Sequence, residues 1–348
     1  MARSTKAGIG VGVPHPRATM KEVAKAAGVS LSTASRALTG RGYVSADVRD
    51  RVKQAAAELE YVPDAMARNL RQQVSRVIGV IVSDLRDPFY VDLASGLSQQ
   101  CRRRGYAMML SDNGGVEKRE LEAAETFVSS RVAGVILTPM SREVSEYLLG
   151  YGIPVVEVDR QFADGLCDAV VVDNRGAAFK VTQALAGLGH RRIALVIDEI
   201  TWTTGRDRLS GFKEAIAEAG LPPEAGIVVT SKLDVAQAQA VIAKLLSRKD
   251  SPTAVFAANN VLAEATWRAA EQLGKTIPDQ LSLACFDDVR WMTMVSPAIT
   301  TVAQDAVAMG ETAVDQLMER IRKPSRPACT IMMAATMEER GSTARPTR

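Results

Sequence analysis

Short apolar runs alternate with helical stretches along most of this chain. The first run, Val77-Ile-Gly-Val-Ile-Val82, is apolar throughout, which is typical of a strand buried on both faces of a parallel sheet. Helical patterns and further apolar runs follow it in turn as far as Leu281–Cys285. Repeated strand–helix units predict parallel sheets joined by right-handed crossovers. We therefore expect an α/β fold whose body is doubly wound.

The alternation starts again at residue 169, which predicts two doubly wound lobes within residues 76–348. We expect lobe one to comprise about 76–160 plus 292–322, and lobe two about 161–291 plus 323–345. In such folds a ligand lies outside the carboxyl ends of the strands. Polar residues collect at those ends here, although loop ends are polar in any α/β protein.

The composition excludes several classes of protein. Of the 348 residues 47% are hydrophobic and 24% charged, which is typical of a globular chain. The four cysteines form no C-x-x-C pair, so we expect neither a disulfide scaffold nor a zinc ribbon. This cysteine usage suits a protein of the reducing cytoplasm. With only two histidines we expect no metal site, and we expect no cofactor. No apolar run approaches the roughly 18 residues of a membrane span, so no membrane partner is expected.

The first 75 residues are basic. They contain twelve Lys and Arg against six acidic residues, a net charge of +6, and the remainder carries −3. This asymmetry is expected of a small polyanion-binding unit attached to another domain. A solvated surface without a partner gives the same count, so charge alone leaves nucleic-acid binding open.

Within this basic segment the residues predict three short helices. Thr19 and Glu22 form a T-x-x-E capping box at the start of a first helix. Gly28 ends that helix, Ser30 caps a second, and Ser45 starts a third. A plain three-helix bundle has a similar pattern. The capping box, the A-x-x-x-G turn and the exposed basic residues favour a helix-turn-helix DNA-binding headpiece over residues 19–63, preceded by a flexible tail over 1–18.

The string V-A-K-A-A-G-V-S-L-S-T-A-S-R-A-L, Val23 to Leu38, resembles the headpiece signature of the LacI–GalR family of bacterial transcription regulators. The resemblance implies that Leu31 and Ser32 read bases and that Arg36 faces the groove. The resemblance also places Thr33 and Ser35 of the same helix near the DNA phosphates. The candidate DNA contacts of the headpiece are Thr19, Leu31, Ser32, Thr33, Ser35 and Arg36.

Residues 64–75 read on their own as a short linker. The resemblance implies instead a hinge helix that is ordered only on operator DNA, where two copies pack antiparallel across the minor groove. Leu70 then matches a leucine wedged into the central base step, which kinks the duplex. Ala67 and Arg68 match positions that contact the twin helix or the groove.

The resemblance extends over nearly the whole body, which is similar to the family's effector domain and to periplasmic-binding-protein-like type I sugar-binding proteins. Motifs at strand ends carry it: Asp87-Pro88-Phe89-Tyr90, Val158-Asp159-Arg160, Arg206-Asp-Arg208, Ala258-Asn259-Asn260, Phe286-Asp287-Asp288 and Thr300-Thr301-Val-Ala-Gln304. Aromatic rings suit the apolar face of a sugar, and carboxylates, amides and guanidiniums suit its hydroxyl groups. The candidate effector-binding residues are Asp87, Phe89, Tyr90, Asp159, Arg160, Trp202, Arg208, Asn259, Asp287 and Gln304.

Several positions depart from the family pattern. Asp87 replaces the usual Asn, Asn260 replaces the usual Asp, and Ala284-Cys285 stands where Val-Gly is usual. The identity of any particular sugar therefore does not transfer to this chain. For Trp202 the sequence leaves stacking on the ligand and packing within the protein equally open.

The sequence favours one function over two alternatives. No phosphate-binding loop, G-x-S-x-G or H-E-x-x-H motif is present, so we expect no enzyme. A sugar-binding transport component would have a signal peptide and no basic headpiece. We expect a DNA-binding transcriptional repressor that binds double-stranded pseudo-palindromic operator DNA. It is expected to form a homodimer, with a tetramer as the alternative, and to be controlled by a small monosaccharide or a derivative.

Overall fold

The computed structural model describes residues 18–40, 42–61 and 75–347. The chain divides into two compact units, one within residues 1–74 and the other over 75–348. Residues 1–17 of the proposed tail lie outside the described residues. So do Ala67, Arg68 and Leu70 of the proposed hinge.

Three helices form the first unit, as the sequence predicts: α1 (Met20–Ala26), α2 (Leu31–Thr39) and α3 (Ala46–Glu58). Thr19 and Glu22 make the complete capping box, and the side chain of Ser30 accepts from the backbone N–H of Thr33 at the start of α2. Small side chains let the helices approach closely, and they form the core of this unit: Val23, Ala24, Ala27, Ala34, Ala37, Val44, Val52 and Ala55.

The second unit contains two six-stranded sheets. The first sheet is parallel throughout and has the order β11-β5-β4-β3-β1-β2. Its strands are β1 (Val77–Val82), β2 (Ala107–Asp112), β3 (Gly134–Leu137), β4 (Val155–Val158), β5 (Asp168–Val172) and β11 (Thr330–Met333). We call this sheet and its helices lobe one.

The second sheet has the order β12-β10-β9-β8-β6-β7. It is parallel except for β12, which runs antiparallel to β10. Its strands are β6 (Ile193–Ile197), β7 (Gly226–Thr230), β8 (Ala254–Ala257), β9 (Ser282–Phe286), β10 (Thr300–Ala303) and β12 (Thr336–Glu338). We call this sheet and its helices lobe two.

Helices connect the strands in both lobes. They are α4 (Pro88–Arg103), α5 (Glu117–Ser129), α6 (Glu143–Gly150), α7 (Asn174–Gly187), α8 (Thr203–Glu218), α9 (Val235–Leu246), α10 (Asn260–Gln272) and α11 (Ala306–Arg322). In lobe one, α4 and α11 pack backbone against backbone. A Cβ on Gly96 would lie 2.1 Å from the carbonyl oxygen of Val307, so no side chain fits there unless the two helices separate.

The expected division into lobes was wrong at three places. Strand β5 pairs with β4 in the first sheet, and β11 pairs with β5, although both were expected in lobe two. Strand β10 pairs with β9 in the second sheet, although it was expected in lobe one. The chain thus crosses between lobes after β5, after β10 and after β11. An apolar run indicates a buried strand, but the sheet it joins depends on which neighbouring edge is free.

Candidate functional site

Helix α2 presents the candidate DNA contacts on one side. Ala34 and Ala37 are buried against the other two helices, so the opposite face of α2 is exposed. Leu31 is 40% exposed. Ser32 and Arg36 are exposed, and Thr33 and Ser35 are half-buried. The predicted residues thus lie together on a helix surface of the kind that enters a major groove.

Two of the predicted hydroxyl groups take part in helix caps. The Thr19 hydroxyl and backbone N–H donate to Glu22 Oε2 at 2.8 and 2.6 Å, and these bonds lower the pKa of the Glu22 carboxyl. The Thr33 hydroxyl lies 2.8 Å from Ser30 Oγ. Both residues therefore stabilise the headpiece fold, whatever they contact on DNA.

Arg36 projects from α2 towards Gly42. A Cβ on Gly42, whose φ is +80°, would lie 3.2 Å from Arg36 Cδ, so the glycine leaves room for the stem of the arginine. Tyr43 directly follows Gly42 and is 92% exposed. Tyr43 was not among the predicted DNA contacts, although an aromatic residue directly after Gly42 was the available signal. It is a further candidate for DNA contact.

In the second unit, the carboxyl ends of both sheets face one cleft. All ten predicted effector residues line it, together with Asp198, Thr204 and Leu233. The cavity between these side chains has a volume of about 50 Å³. By the same measure one water molecule occupies roughly 10–15 Å³, so the cavity holds only a few water molecules. The cleft is therefore narrow, and a ligand inside it touches both lobes.

On the lobe-one side the aromatic residues are fixed by hydrogen bonds. Asp87 caps α4 by accepting from the backbone N–H of Phe89 at 2.9 Å. The next ring, Tyr90, meets Phe89 edge to face with centroids 5.1 Å apart. The Tyr90 hydroxyl donates to Asp159 Oδ2 at 3.3 Å and accepts from Arg160 Nη2 at 2.8 Å. Burial raises the pKa of Tyr90, so the hydroxyl stays protonated as a donor.

Two carboxylates occupy matching positions at the ends of strands. Asp159 follows β4 in lobe one and Asp287 follows β9 in lobe two, and both have positive φ, 67° and 78°. A residue other than glycine held there costs about 1–3 kcal/mol and persists only where its surroundings fix it. Such strain is concentrated at functional sites, and here it turns both buried carboxyl groups into the cleft.

The two guanidinium groups of the cleft each stack on an aromatic ring. Arg208 lies over Phe286 at 3.6 Å, and Arg160 lies over Trp202 at 3.7 Å. In this structure the Trp202 ring packs on Arg160 across the lobes and also lines the cleft, so its stacking on a ligand stays a prediction. Stacking on the two rings holds the planar guanidiniums while their N–H groups stay available.

Arg208 and Arg160 differ in their polar partners. Arg208 donates from Nε to Asn174 Oδ1 at 2.8 Å and from Nη1 to the Ala258 carbonyl, which leaves Nη2 for a ligand. Arg160 is 5% exposed, and among the described residues its buried Nε and Nη1 have no hydrogen-bond partner. Its Nε lies 3.6 Å from Asp159 Oδ2, beyond hydrogen-bond distance. Buried donors of this kind call for an acceptor such as a hydroxyl oxygen.

The remaining polar residues come from lobe two. Gln304, at a crossing between lobes, donates to Asp287 Oδ1 at 2.6 Å. Asn259 caps α10 and donates from Nδ2 to Asp198 Oδ1 at 3.3 Å. Asp198 was missing from the predicted site, although its place directly after β6 was the signal that could have found it. Thr204 and Leu233 carried no such signal.

Several carboxyl groups of the cleft hold their protons more tightly than usual. Burial, followed by the nearby charge of Asp287, raises the pKa of Asp87 from 3.8 to about 6. Burial also raises the pKa of Asp159 and of Asp198. A cleft with many acceptors, two forked donors and aromatic walls is equipped to bind a small polyhydroxyl compound.

Comparisons with known proteins agree with both units. The family described as bacterial regulatory proteins, lacI family, matches residues 19–64, and a periplasmic binding protein-like domain matches 182–343. A ribose operon repressor of Haemophilus influenzae is 31% identical over 320 residues, covering 92% of this chain and 96% of that protein. The chain belongs to the LacI family of bacterial regulatory proteins. This LacI-family chain is therefore a DNA-binding transcriptional regulator, as predicted.

Two solved structures have a similar fold. A LacI family transcriptional regulator from Enterococcus faecium with bound ribose is 28% identical, with a TM-score of 0.71, and covers 77% of this chain and 99% of that one. A Lac repressor dimer bound to operator has a TM-score of 0.84 at 24% identity, covering 94% of this chain and 100% of that one. The predicted α/β fold with a helix-turn-helix headpiece and two lobes is confirmed.

Two further observations concern only residues 18–40, 42–61 and 75–347. There, no helix combines the length and the apolar character required to cross a bilayer. In the same part of the chain, no group of three or more His, Cys, Asp or Glu side chains is arranged to hold a metal ion.

Proposed function

We propose that this regulator is a repressor that binds a pseudo-palindromic operator as a homodimer and responds to a small neutral sugar, with ribose the first compound to test. One observation carries the effector assignment: the ten side chains predicted from separate motifs line one cleft between the lobes. Relatives named for ribose, or solved with ribose bound, support this choice of probe.

The headpiece supports the DNA part of the proposal. The exposed face of α2 carries an apolar contact, hydroxyl groups and one guanidinium, a combination able to touch bases and phosphates. The excess of basic residues in the first 75 residues favours association with any duplex. We assign base reading to Leu31, Ser32 and Arg36, and minor-groove contacts to the hinge with Leu70.

The cleft supports control by a sugar. Arg160 and Arg208 approach it from different lobes with free N–H groups, and carboxylates of both lobes supply acceptors. A polyol that satisfies all of these groups binds best when the lobes are held together. Operator affinity then changes only as far as the effector binds the two states of the protein with different affinity.

The proposed homodimer is supported by the two-fold symmetry of a palindromic operator and by a structure with a similar fold. A two-fold dimer matches a pseudo-palindromic operator, with one headpiece on each half-site. The Lac repressor structure with a similar fold is a dimer on its operator. In this chain α4 is the candidate dimer helix, and Val91 on it is 47% exposed.

The test is a gel-shift titration of the purified protein on the DNA upstream of its own gene, with and without D-ribose. We expect a specific shift that D-ribose weakens, and sedimentation should show a dimer. Absence of any specific shift would contradict the repressor assignment and leave a sugar-binding protein without DNA function. A shift that ignores D-ribose and a panel of other pentoses, hexoses and sugar acids would contradict the effector assignment alone.

A further inference from the structure

A hydrogen bond joins the two lobes at the edge of the cleft. Asn260, the first residue of α10 in lobe two, donates from Nδ2 to Asp87 Oδ1 in lobe one at 2.8 Å. Asn260 is 4% exposed and Asp87 is 8% exposed, so the bond is shielded from water. These are the two positions at which the chain departs from the family pattern in opposite directions.

The same amide also faces a second carboxylate. Asn260 Nδ2 and its backbone N–H both lie 3.4 Å from Asp287 Oδ2. The side chain therefore donates between a carboxylate of lobe one and a carboxylate of lobe two. An amide nitrogen is a donor only, so it suits a position between two acceptors, where a third carboxylate would be repelled.

The bond also decides which atoms remain for a ligand. Asp87 Oδ1 accepts from both Phe89 and Asn260, so Oδ2 is the oxygen left to face the cleft. Asp287 Oδ1 accepts from Gln304. Both carboxyl groups are thereby fixed in orientation, which lowers the entropic cost of meeting a ligand.

We propose that Asn260 is a positioning residue of the effector cleft: its amide joins Asp87 to Asp287 across the lobes and orients both as acceptors for effector hydroxyl groups. This inference rests on the proposed sugar-binding function and deepens it. Asn260 was not among the predicted site residues, and it acts through the two carboxylates.

The charge around Asp87 gives the proposal a pH signature. The ionisable groups that line the cleft with it are Asp287, Asp159, Asp198, Arg160, Arg208 and Tyr90. Burial and the charge of Asp287 raise the pKa of Asp87, and Asp159 adds to the effect. A further carboxyl group at position 260 would hold a proton in common with Asp87, as closely spaced carboxyl pairs do.

The test exchanges the side chains of Asp87 and Asn260. D-ribose affinity is measured by calorimetry for the wild type, Asn260→Asp, Asp87→Asn and the double variant Asp87→Asn/Asn260→Asp. At about pH 7.5 we expect Asn260→Asp to lose about tenfold or more in affinity, because repelled carboxylates replace a buried hydrogen bond. The double variant should regain part of that loss, since the amide introduced at position 87 can donate to the carboxylate introduced at position 260, while that carboxylate still faces Asp287 Oδ2. Asp87→Asn alone should lose less than Asn260→Asp, because its amide oxygen still accepts.

A second readout separates positioning from general damage. At about pH 5.5 the loss in Asn260→Asp should shrink, because a shared proton removes the repulsion. Gln272→Glu, which adds the same charge at the exposed far end of α10, serves as the control and should bind D-ribose like the wild type. If Asn260→Asp does not fold, the double variant still tests the exchange, since it should fold and bind.

The outcomes are distinct. Wild-type affinity in Asn260→Asp, or a double variant no better than that single variant, overturns the positioning role while the proposed function stands. A wild-type protein that binds neither D-ribose nor the other sugars overturns the effector assignment and the inference with it.

Discussion

The exposed face of α2 and the cleft between the lobes are assembled from the sequence in opposite ways. The candidate base contacts on α2 come from residues 31–36, and helical periodicity alone places them on one surface. The cleft residues span 87–304 and meet only because two sheets direct their strand ends to the same place. A helix face can thus be inferred from a short segment, whereas a cleft requires the whole topology.

The two regions also differ in how their side chains are held. The outer residues of α2 are exposed or half-buried, and the side-chain bonds of Ser32 and Thr33 are local ones to Ser30. The cleft residues are mostly buried and bond to one another, as Tyr90 does to Asp159 and Gln304 to Asp287. Removing a cleft residue therefore leaves its neighbours unsatisfied as well, and we expect larger effects there.

Arg208→Ala gives the largest expected effect. It removes a buried guanidinium from Asn174, Ala258 and the Phe286 ring, and should weaken D-ribose binding by about 1.5–3 kcal/mol for each hydrogen bond that the guanidinium donates to the sugar. Calorimetry measures the loss, and operator affinity without sugar should persist. Arg206→Ala, on the same helix but with a side chain 63% exposed, is the matched control. If both variants lose D-ribose affinity equally, the buried contacts of Arg208 make no special contribution to binding.

Asp87→Asn tests the cost of the buried carboxyl groups. The pKa of Asp87 is raised from 3.8 to about 6, so its contribution to stability is present below 3.8 and is lost as pH rises through about 6. The variant should lack this loss, a difference of up to about 3 kcal/mol in the unfolding free energy between acid and neutral pH. Urea unfolding across that range measures it, with the exposed Asp92→Asn as the control. Parallel pH profiles for wild type and Asp87→Asn would contradict the raised pKa.

Arg36→Ala tests the headpiece. Loss of a base-edge contact or a well-placed phosphate contact should weaken operator binding by about 1–3 kcal/mol and leave D-ribose binding unchanged. Fluorescence anisotropy with labelled operator measures the change. Lys53→Ala on α3 removes the same charge from another exposed position and should cost less. If the two variants lose equally, Arg36 contributes only general electrostatic attraction.

Trp202→Leu gives the smallest expected effect. It keeps an apolar side chain but removes the ring under Arg160, and should weaken D-ribose binding by about 0.5–2 kcal/mol. Trp202→Phe should lose less, because a smaller ring still stacks on the guanidinium. Calorimetry on both variants decides the point, and a Phe variant as weak as the Leu variant would argue against stacking.

Much of the cleft could be predicted because its residues lie in short motifs directly after strands. The same motifs did not reveal how the residues pair with each other. Trp202 contacts Arg160, and Asn260 contacts Asp87 at a separation of 173 positions. Asp198 was missed because a single polar residue at a strand end carries no more weight than any other. Pairings of this kind depend on the distance between lobes, which no local pattern encodes.

The sequence alone determined that the headpiece is a capped helix-turn-helix and that the body is α/β, because capping boxes and strand–helix periodicity are local consequences of backbone geometry. Only the tertiary structure decided which sheet β5, β10 and β11 join, because a buried apolar strand can add to any free edge. It also decided that the carboxylates of both lobes share the amide of Asn260. That contact exists because the folded lobes bring together atoms that lie far apart along the chain.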